Sequence, residues 1–382
     1  MTLVENGVAA YTRRFGAKPA AAVLAPGRAE IMGNHTDYNG GFVLPAALDK
    51  YTVVAGSPTS NDTITLHAAD FRREATFSVN NIQRDPHNSW ANYALGVVLQ
   101  LQGDGVRIGG FQAVIHSDVP TGSGLSSSAA LEVATAIFLQ QLFPYDREPM
   151  QIARLCQKAE NEFVGVQCGI LDQFSSVFGA RDSLLFLDCL TLDHSTVKMG
   201  RDDIAIVISD SAVKHALTGG DYNTRRAECM AAAAHFDKEL LRDVTWDEFL
   251  ARENELPENQ RKRARHILTE NKRVLVMREA VQCGDIARMG EIMAESHTSS
   301  RDLFENSTPE LDFLVATAHS LPGFIGAKLS GGGWGGCTVN LVLADAVPQF
   351  SRELAAHYKT QTGREAHIYP CRAADGAHAV KV

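Results

Sequence analysis

The stretch VPTGSGLSSSAALE, from Val119 to Glu132, is the part of the sequence that decides the fold. Gly122 and Gly124 let the backbone approach a ligand closely, and a run of serines then leads into the strong helix formers Ala129-Ala130-Leu131-Glu132. Unpaired N–H groups at a helix start, with the positive end of the helix dipole, favour an anion such as an ATP phosphate. The stretch lacks the Gly-Lys-Ser/Thr of a P-loop, and Ser127 stands where a dinucleotide fingerprint has its third glycine. Two interpretations remain open, a phosphate-binding loop or a turn whose serines cap the helix.

The composition limits the class of protein and its partners. A length of 382 residues, 45% hydrophobic and 21% charged, fits two or three globular domains. The chain has 36 Lys and Arg and 45 Asp and Glu, and the resulting net charge of -9 argues against a nucleic-acid or anionic-membrane partner. The seven cysteines include no C-x-x-C pair, which indicates reduced thiols rather than a disulfide framework or a zinc site. With no signal-peptide core and no run near the roughly 20 apolar residues that span a bilayer, we expect a cytoplasmic protein.

The pattern of predicted elements changes near residue 200. Before it, β-branched and apolar runs predict strands at 51–55, 63–66, 111–115 and 184–187. Apolar residues at helical spacing predict helices at about 131–142 and 150–163. After it follow a predicted strand at 204–208, a largely helical region over 222–297 and a glycine-rich segment, 326–344, that ends as a strand. The boundary rests on this shift alone, since no repeat or low-complexity linker marks it.

The segment APGRAEIMGNHTDYNGGFVLP, from Ala25 to Pro45, concentrates polar side chains among glycines. Short, rigid donors and acceptors beside a closely approaching backbone are what the hydroxyls of a sugar require. The residues concerned are Arg28, Asn34, His35, Asp37, Tyr38 and Asn39. A polar loop between two strands is the alternative interpretation.

Two later segments carry further polar or glycine-rich patterns. In AENEFVGVQCGILDQFSS, from Ala159 to Ser176, Glu160 is a candidate magnesium ligand and Asp172 a candidate proton acceptor. The alternatives are a solvated helix face for Glu160 and a helix N-cap for Asp172. The glycines between Ser330 and Gly336 shape either a ligand cleft or a tight turn with a bulge.

The combination and order of these motifs resemble those of the galactokinases, a family of the GHMP kinase superfamily of small-molecule kinases. The matching motifs are Pro26-Gly27-Arg28, Gly33-Asn34-His35-Thr36-Asp37-Tyr38-Asn39, Gly122-Ser123-Gly124-Leu125-Ser126-Ser127-Ser128-Ala129, Cys168-Gly169-Ile170-Leu171-Asp172-Gln173 and Gly331-Gly332-Gly333-Trp334-Gly335-Gly336-Cys337. The resemblance extends through nearly the whole chain, including segments 90–93, 222–226 and 266–271.

The resemblance implies a fold and an activity. The fold is α+β and two-lobed, with a mixed sheet and helices in an N-terminal lobe (1–200), a C-terminal α/β lobe (201–382) and the active site between them. The activity is ATP-dependent phosphorylation of the anomeric hydroxyl of galactose, giving galactose 1-phosphate and ADP, with Mg²⁺ as cofactor. We expect a monomer whose partners are the sugar and ATP, with no nucleic acid and no membrane.

The resemblance also implies residue roles. Asp172 acts as the base at the anomeric hydroxyl, and Arg28 beside it steadies the base and the transferring phosphoryl group. Ser128 and Glu160 hold magnesium. The sugar-binding residues are Asn34, His35, Thr36, Asp37 and Tyr222. The ATP-binding residues are Gly122, Ser123, Gly124, Leu125, Ser126, Ser127 and Ser128.

One departure from the family pattern concerns Asn34. Most galactokinases carry a glutamate there, associated with the O6 hydroxyl of the sugar. An amide exchanges a charge-assisted hydrogen bond, worth about 1.5–3 kcal/mol, for a neutral one of about 0.5–1.5 kcal/mol. We therefore hypothesise that galactose is the substrate with looser discrimination at C6, and keep a kinase for another galacto-configured sugar as an alternative.

A second alternative is a catalytically silent galactose sensor, since galactokinase-like proteins include such regulators. Those proteins lack part of the Ser-Ala step after the glycine turn. In this chain Ser128-Ala129 is intact, and Arg28, Glu160 and Asp172 are all present, which favours an enzyme.

Overall fold

The computed structural model describes residues 2–213 and 220–382 of the chain. Its strands are β1 Ala21–Met32, β2 Phe42–Pro58, β3 Thr63–Ala68, β4 Arg73–Ser78, β5 Phe111–Ser117, β6 Ser183–Asp188, β7 His194–Lys198, β8 Ile204–Asp210, β9 Phe324–Ser330, β10 Cys337–Leu343, β11 His367–Cys371 and β12 His378–Val380. Its α-helices are α1 Leu3–Phe15, α2 Ala91–Gly103, α3 Ser127–Leu142, α4 Pro149–Lys158, α5 Leu171–Phe178, α6 Gly220–His235, α7 Trp246–Arg252, α8 Glu258–Cys283, α9 Ile286–Ser299, α10 Pro309–Ala318 and α11 Val347–Thr362. The strands and helices predicted from periodicity are thus confirmed, apart from the helix over 150–163.

The first sheet is mixed and lies between helices. Its order is β12-β1-β2-β5-β3-β4, with β6 added to β2 and β7 to β6, and only the β3–β5 pair is parallel among its described strands. Alternate residues of its central strands face opposite ways: Ala22 and Val53 pack under α1, whereas Val23 and Val54 join the core formed with α2 and α3. The central strands are therefore apolar on both faces, as buried strands must be.

The second sheet is antiparallel, in the order β11-β8-β10-β9. One of its faces packs against α10 and α11, and the other faces α8 and α9. The second face shares a core with the first sheet, to which Ile31, Leu44 and Leu125 contribute from the N-terminal half. A continuous apolar layer thus joins the two lobes beneath the loops that carry the motifs.

The last strand returns to the first sheet. Val380 pairs with Ala22, so β12 extends the sheet beside β1. The division into 1–200 and 201–382 stays a prediction, but the outer strand of the first sheet comes from the C-terminal end of the chain.

The region of Glu160 differs from the predicted single helix over 150–163. α4 begins with Pro149 at its first turn and ends at Lys158, and a π-helical turn follows at Ala159–Val164. Glu160 is the second residue of this π turn and is only 6% exposed. The solvated helix face considered for Glu160 is therefore wrong.

In the described part of the chain, none of the helices combines the length and the apolar character that a membrane crossing requires.

Candidate active site

The serine loop, residues 121–126, connects β5 to α3 and adopts a backbone suited to an anion. Gly122 and Gly124 have φ values of 76° and 70°, in the left-handed region that glycine adopts without strain. Ser126 also has a positive φ, 56°, and no side chain of the described residues caps α3. The N–H groups of the first helical turn, with Ser127 and Ser128 partly exposed beside them, are left available. This favours the phosphate-loop interpretation over the capped turn.

The serine side chains of this loop differ in what they contact. Ser126 Oγ donates to Asp172 Oδ2 at 2.5 Å, and Ser123 Oγ donates to Asp210 Oδ2 at 2.5 Å. Leu125 is buried in the core between the lobes, so only its backbone remains for a ligand. The hydroxyls of Ser123 and Ser126 thus fix the loop to the protein, which leaves the loop backbone and the start of α3 for a ligand.

Asp172 and Arg28 form an ion pair under the serine loop. Asp172 lies in the first turn of α5, whose N-cap is Ile170, so the N-cap alternative for Asp172 is wrong. Arg28 Nε and Nη2 contact Asp172 Oδ1 at 2.7 and 2.6 Å, and Arg28 Nη1 donates to Gly124 O at 2.5 Å. Burial disfavours the charged guanidinium, but the adjacent Asp172 outweighs it and raises the pKa of Arg28. Arg28 therefore links the carboxylate to the serine loop.

Asp37 is a second carboxyl group in the same cleft. Its Oδ1 accepts from the Tyr38 backbone N–H at 2.9 Å, and its Oδ2 lies against Gly169, where a Cβ would come within 2.0 Å. Burial, with the nearby negative charge of Asp172, raises the pKa of Asp37 to about 7. Gly169 thus has to be glycine for the chain before Asp172 to reach Asp37.

His35 and Tyr222 form an aromatic wall of the cleft. The two rings lie 5.2 Å apart, and His35 also stacks on Phe304 at 4.4 Å. Burial lowers the pKa of His35 to about 3, so the ring is neutral. Its Nε2 lies 2.9 Å from Gly332 O and its Nδ1 lies 2.9 Å from Tyr38 Oη, which assigns Nε2 as donor and Nδ1 as acceptor. His35 thus presents its ring, since both nitrogens are already paired.

Asn34 and Thr36 are buried and bonded within the protein, and their contact with a sugar stays a prediction. Thr36 is fully buried, and its hydroxyl donates within the loop to Gly33 O and Phe42 O. Asn34 is also fully buried, and its amide donates to Glu30 Oε2 at 3.1 Å and to Gly331 O at 2.8 Å. The Asn34 side-chain oxygen accepts from Ser300 Oγ and Asn306 Nδ2. The polar atoms of the Asn34 side chain are thus all paired, and they connect the polar segment to residues near 300 and 331; discrimination at C6 by Asn34 stays a hypothesis.

A polar layer lies behind this wall, made of Glu30, Asn34, Glu270, Asn306 and Lys328. Lys328 Nζ contacts Glu30 Oε1 at 2.7 Å, with the lysine side chain fully buried. Glu270 Oε1 accepts from the backbone N–H groups of Gly33 and Asn34. The polar layer therefore holds the backbone that positions His35 and Asp37.

Glu160 and Ser128 fit a magnesium ion. Both supply oxygen, the donor this ion prefers, and a hydrogen bond from Ser128 reaches the Glu160 carboxylate. Burial, followed by the charge of Asp172, raises the pKa of Glu160 to about 7, as expected where a carboxylate has no cation beside it. The described residues contain no group of three His, Cys, Asp or Glu able to hold a metal, so ligands beyond these two would be water and phosphate oxygens.

Sequence reasoning missed several residues around the cleft. Asp210, at the end of β8, binds Ser123, while the next residue, Ser211, donates to Gly336 O in the glycine loop, residues 331–336. Glu132 lies one turn beyond Ser128 and is fully buried. The sequence did contain a signal for two of them. Lys328 interrupts the apolar run FIGAKLS, and Asp210 ends the apolar strand IAIVISD, so both are exceptions to a core pattern.

Comparisons with known proteins were consistent along the chain. Family models match at residues 9–58 (galactokinase galactose-binding signature), 92–180 (GHMP kinases N terminal domain) and 277–360 (GHMP kinases C terminal). The galactokinase of Roseiflexus sp. (strain RS-1) is 46% identical over 371 residues, covering 96% of this chain and 94% of that protein.

Solved structures give the same correspondence. Galactokinase from Lactococcus lactis, in complex with galactose, matches with a TM-score of 0.94 and 33% identity, covering 99% of this chain and all of that one. The mevalonate kinase of Methanococcus jannaschii matches with a TM-score of 0.69 at 20% identity, covering 93% of this chain and 98% of that one, which shows a shared fold alone.

Proposed function

This chain belongs to the galactokinase family of the GHMP kinases, and on that basis we infer that it transfers a phosphoryl group from ATP to galactose, giving galactose 1-phosphate and ADP. The observation that carries this function is the ion pair of Asp172 and Arg28, held directly under the serine loop and beside Asp37. A sugar hydroxyl and a phosphoryl group require this arrangement, because the acceptor and the donor must meet at one carboxylate.

We propose that Asp172 accepts the proton of the anomeric hydroxyl. Arg28 and Ser126 hold its two oxygens, so the carboxylate has a fixed direction before a substrate binds. Its side chain is 23% exposed, against 7% for Arg28, so a hydroxyl can approach it from the cleft. Fixing a proton acceptor in this way contributes roughly 10²–10⁴-fold to a rate.

The phosphate groups of ATP are assigned to the serine loop and the start of α3. The free N–H groups of the first turn and the positive end of the helix dipole favour phosphate oxygens. Arg28 holds Gly124 O and Asp172 with one guanidinium, so it supplies positive charge where the two substrates meet. Ser128 and Glu160 would hold Mg²⁺, which neutralises phosphate charge when it is bound.

The sugar is assigned to the cleft lined by Asp37, Tyr222 and the ring of His35. Asp37 offers a carboxyl group and Tyr222 a phenol, both suited to sugar hydroxyls. The alternative of another galacto-configured sugar rested on Asn34, which is buried and fully paired. Galactose therefore remains the proposed substrate, and a panel of C6-modified galactoses should show discrimination that an Asn34→Glu variant does not sharpen.

One assay separates the enzyme from a silent sensor. ADP release, coupled to a detector, is measured with galactose, ATP and Mg²⁺, and the product is identified by NMR of its anomeric carbon. We expect galactose-dependent ADP release and galactose 1-phosphate. Tight binding of galactose and ATP without ADP release would overturn the kinase assignment and support the sensor.

The seven cysteines are all free in the structure, and Cys156, Cys229, Cys337 and Cys371 are buried. Free buried thiols persist in a reducing compartment, which supports the proposed cytoplasmic location.

A further inference from the structure

Glu132 is a buried carboxyl group to which the proposed reaction assigns no role. It lies in α3, four residues after Ser128, and its side chain is fully buried. Oε2 accepts from Gln173 Nε2 at 3.0 Å, whereas Oε1 has no hydrogen-bond partner among the described residues. A buried carboxyl group that is half unpaired costs stability, so its presence calls for a function.

Gln173 connects Glu132 to the magnesium ligand Glu160. It follows Asp172 in α5, and its side chain is fully buried. Its Nε2 donates to Glu132 Oε2 at 3.0 Å and to Glu160 Oε2 at 2.7 Å. Since an amide nitrogen has only two hydrogens, both are used by the two carboxyl groups, and they set the orientation of the amide.

Three structural elements meet at this chain of contacts. Glu132 comes from α3, Gln173 from α5 and Glu160 from the π turn after α4. Both carboxyl groups bond to the same amide nitrogen, and no Lys or Arg of the described residues forms a salt bridge with either of them, while Arg28 is engaged by Asp172. The Glu160 carboxylate therefore has a neutral amide on its protein side and is free to meet a cation on the cleft side.

We propose that Glu132 and Gln173 form the outer shell of the magnesium site, with Glu132 fixing the amide of Gln173 and Gln173 fixing the Glu160 carboxylate. Both are positioning residues, since neither is assigned a contact with substrate or metal. The inference rests on the proposed function, because the metal it concerns is the one that accompanies ATP. Outer-shell partners of metal ligands typically contribute about 10–100-fold in metal affinity.

The test measures metal affinity rather than turnover. Mn²⁺ replaces Mg²⁺ as an EPR probe, and its dissociation constant is determined for the full-length protein with a non-hydrolysable ATP analogue. Glu132→Met keeps the length of the side chain and removes the acceptor, whereas Glu132→Gln keeps an oxygen for Gln173. We expect Glu132→Met to weaken Mn²⁺ binding by about 10–100-fold and Glu132→Gln to weaken it by less than about threefold.

A second variant tests the same series of contacts at Gln173. Gln173→Met should weaken Mn²⁺ binding as much as Glu132→Met does, and the double variant should be no weaker than either, because the two residues act in series. Thr135→Val is the matched control: Thr135 is buried on the same helix, and among the described residues its hydroxyl bonds only to Leu131 O. Should Glu132→Met fail to fold, Gln173→Met alone decides the question.

Several outcomes would overturn the inference. A folded Glu132→Met or Gln173→Met variant that binds Mn²⁺ like the wild type would do so. Equal losses in Glu132→Gln and Glu132→Met would also overturn it, because the charge and not the hydrogen bond would then matter. Failure of the proposed function looks different, since the wild type would then bind Mn²⁺ with the ATP analogue but form no galactose 1-phosphate.

Discussion

Acidic residues of the cleft and of the polar layer differ in how folding shifts the pKa, which rises for Asp37 and Glu160 and falls for Glu270. On the cleft side, burial and neighbouring carboxylates raise the pKa of Asp37 and of Glu160 to about 7. In the polar layer, burial works the same way on Glu270, but Arg273, His266 and Lys328 outweigh it and lower its pKa to about 2. The difference is one of partners rather than of depth.

This contrast shows which group is built to bind. In the polar layer every negative charge has a cation within the protein: Arg273 Nε lies 2.7 Å from Glu270 Oε2, and Lys328 Nζ lies 2.7 Å from Glu30 Oε1. In the cleft, none of Asp37, Glu160 and Glu132 forms a salt bridge with a described residue, and Arg28 is engaged by Asp172. A cleft with unpaired carboxylates is complete only with a ligand, whereas the polar layer is complete without one.

The largest expected effect concerns the cleft. Asp172→Asn keeps the shape of the side chain but removes the proton acceptor and the ion pair with Arg28. We expect kcat for galactose phosphorylation to fall by roughly 10²–10⁴-fold. The dissociation constant for ATP, measured by calorimetry, should stay near that of the wild type because the serine loop keeps its backbone. A variant with more than a tenth of the wild-type kcat would refute the role given to Asp172.

In the polar layer, Lys328→Met should lower the stability of the fold and should not act directly on the reaction. It leaves Glu30 buried without its cation, and removal of one partner of a buried pair costs about 3–5 kcal/mol in the free energy of unfolding. Urea unfolding of the variant measures this. Glu30→Gln combined with Lys328→Met should recover most of the loss, because no charge is then left unpaired. If the double variant is as unstable as Lys328→Met, the ion pair is not what the polar layer requires.

The sequence allowed prediction of the elements and of the segments that meet at the cleft. Strands and helices follow local periodicity, and β5, α3 and β8 lie where the pattern places them. It did not allow prediction of β12, since the three residues HAV carry no pattern and their pairing with β1 bridges the length of the chain. Pairing between distant segments is not encoded in a local window.

Within the polar segment, the sequence did not show which side chains face the cleft. Asn34 and Thr36 turn inward while Asp37 remains partly exposed, and the backbone alternates because Gly33 and His35 both have a positive φ. The partners that fix Asn34, among them Ser300, Asn306 and Gly331, lie more than 260 positions away. Residue type alone therefore predicted a polar site, and the distant contacts decided which residues it contains.

The contrast also predicts how stability depends on pH. The pKa of Asp37 is raised from the ordinary value of 3.8 to about 7 by folding, so its contribution is present below about pH 4 and is lost as the pH rises through about 7. One pKa unit corresponds to about 1.4 kcal/mol, and water in the cleft reduces the effect, so we expect a loss of about 1–2 kcal/mol for the ligand-free protein between pH 5.5 and 8.

Urea unfolding of wild type and Asp37→Asn at the two pH values measures this loss. The variant should lack the part of the loss that comes from Asp37, because an amide does not titrate, and should keep the part that comes from Glu160, whose pKa is also raised to about 7. Glu270, whose pKa is lowered to about 2, should contribute no change over the same range. If Asp37→Asn loses as much stability as the wild type between the two pH values, the raised pKa of Asp37 is not its source.

The smallest expected effect concerns the hydrogen bond through which Asp210 holds the serine loop at Ser123. Ser123→Ala removes this hydrogen bond but leaves the loop backbone, so the loop should be less well ordered for ATP. A hydrogen bond to a charged group is worth about 1.5–3 kcal/mol, and if about half of that reaches the nucleotide, KM for ATP should rise about 3–10-fold. KM for galactose should change by less than about twofold, and Asp210→Asn, which keeps an acceptor, should behave nearly as the wild type. Equal changes in both KM values would instead mean that Ser123 supports the fold as a whole, because only a contact specific to the phosphate side of the cleft can separate the two substrates.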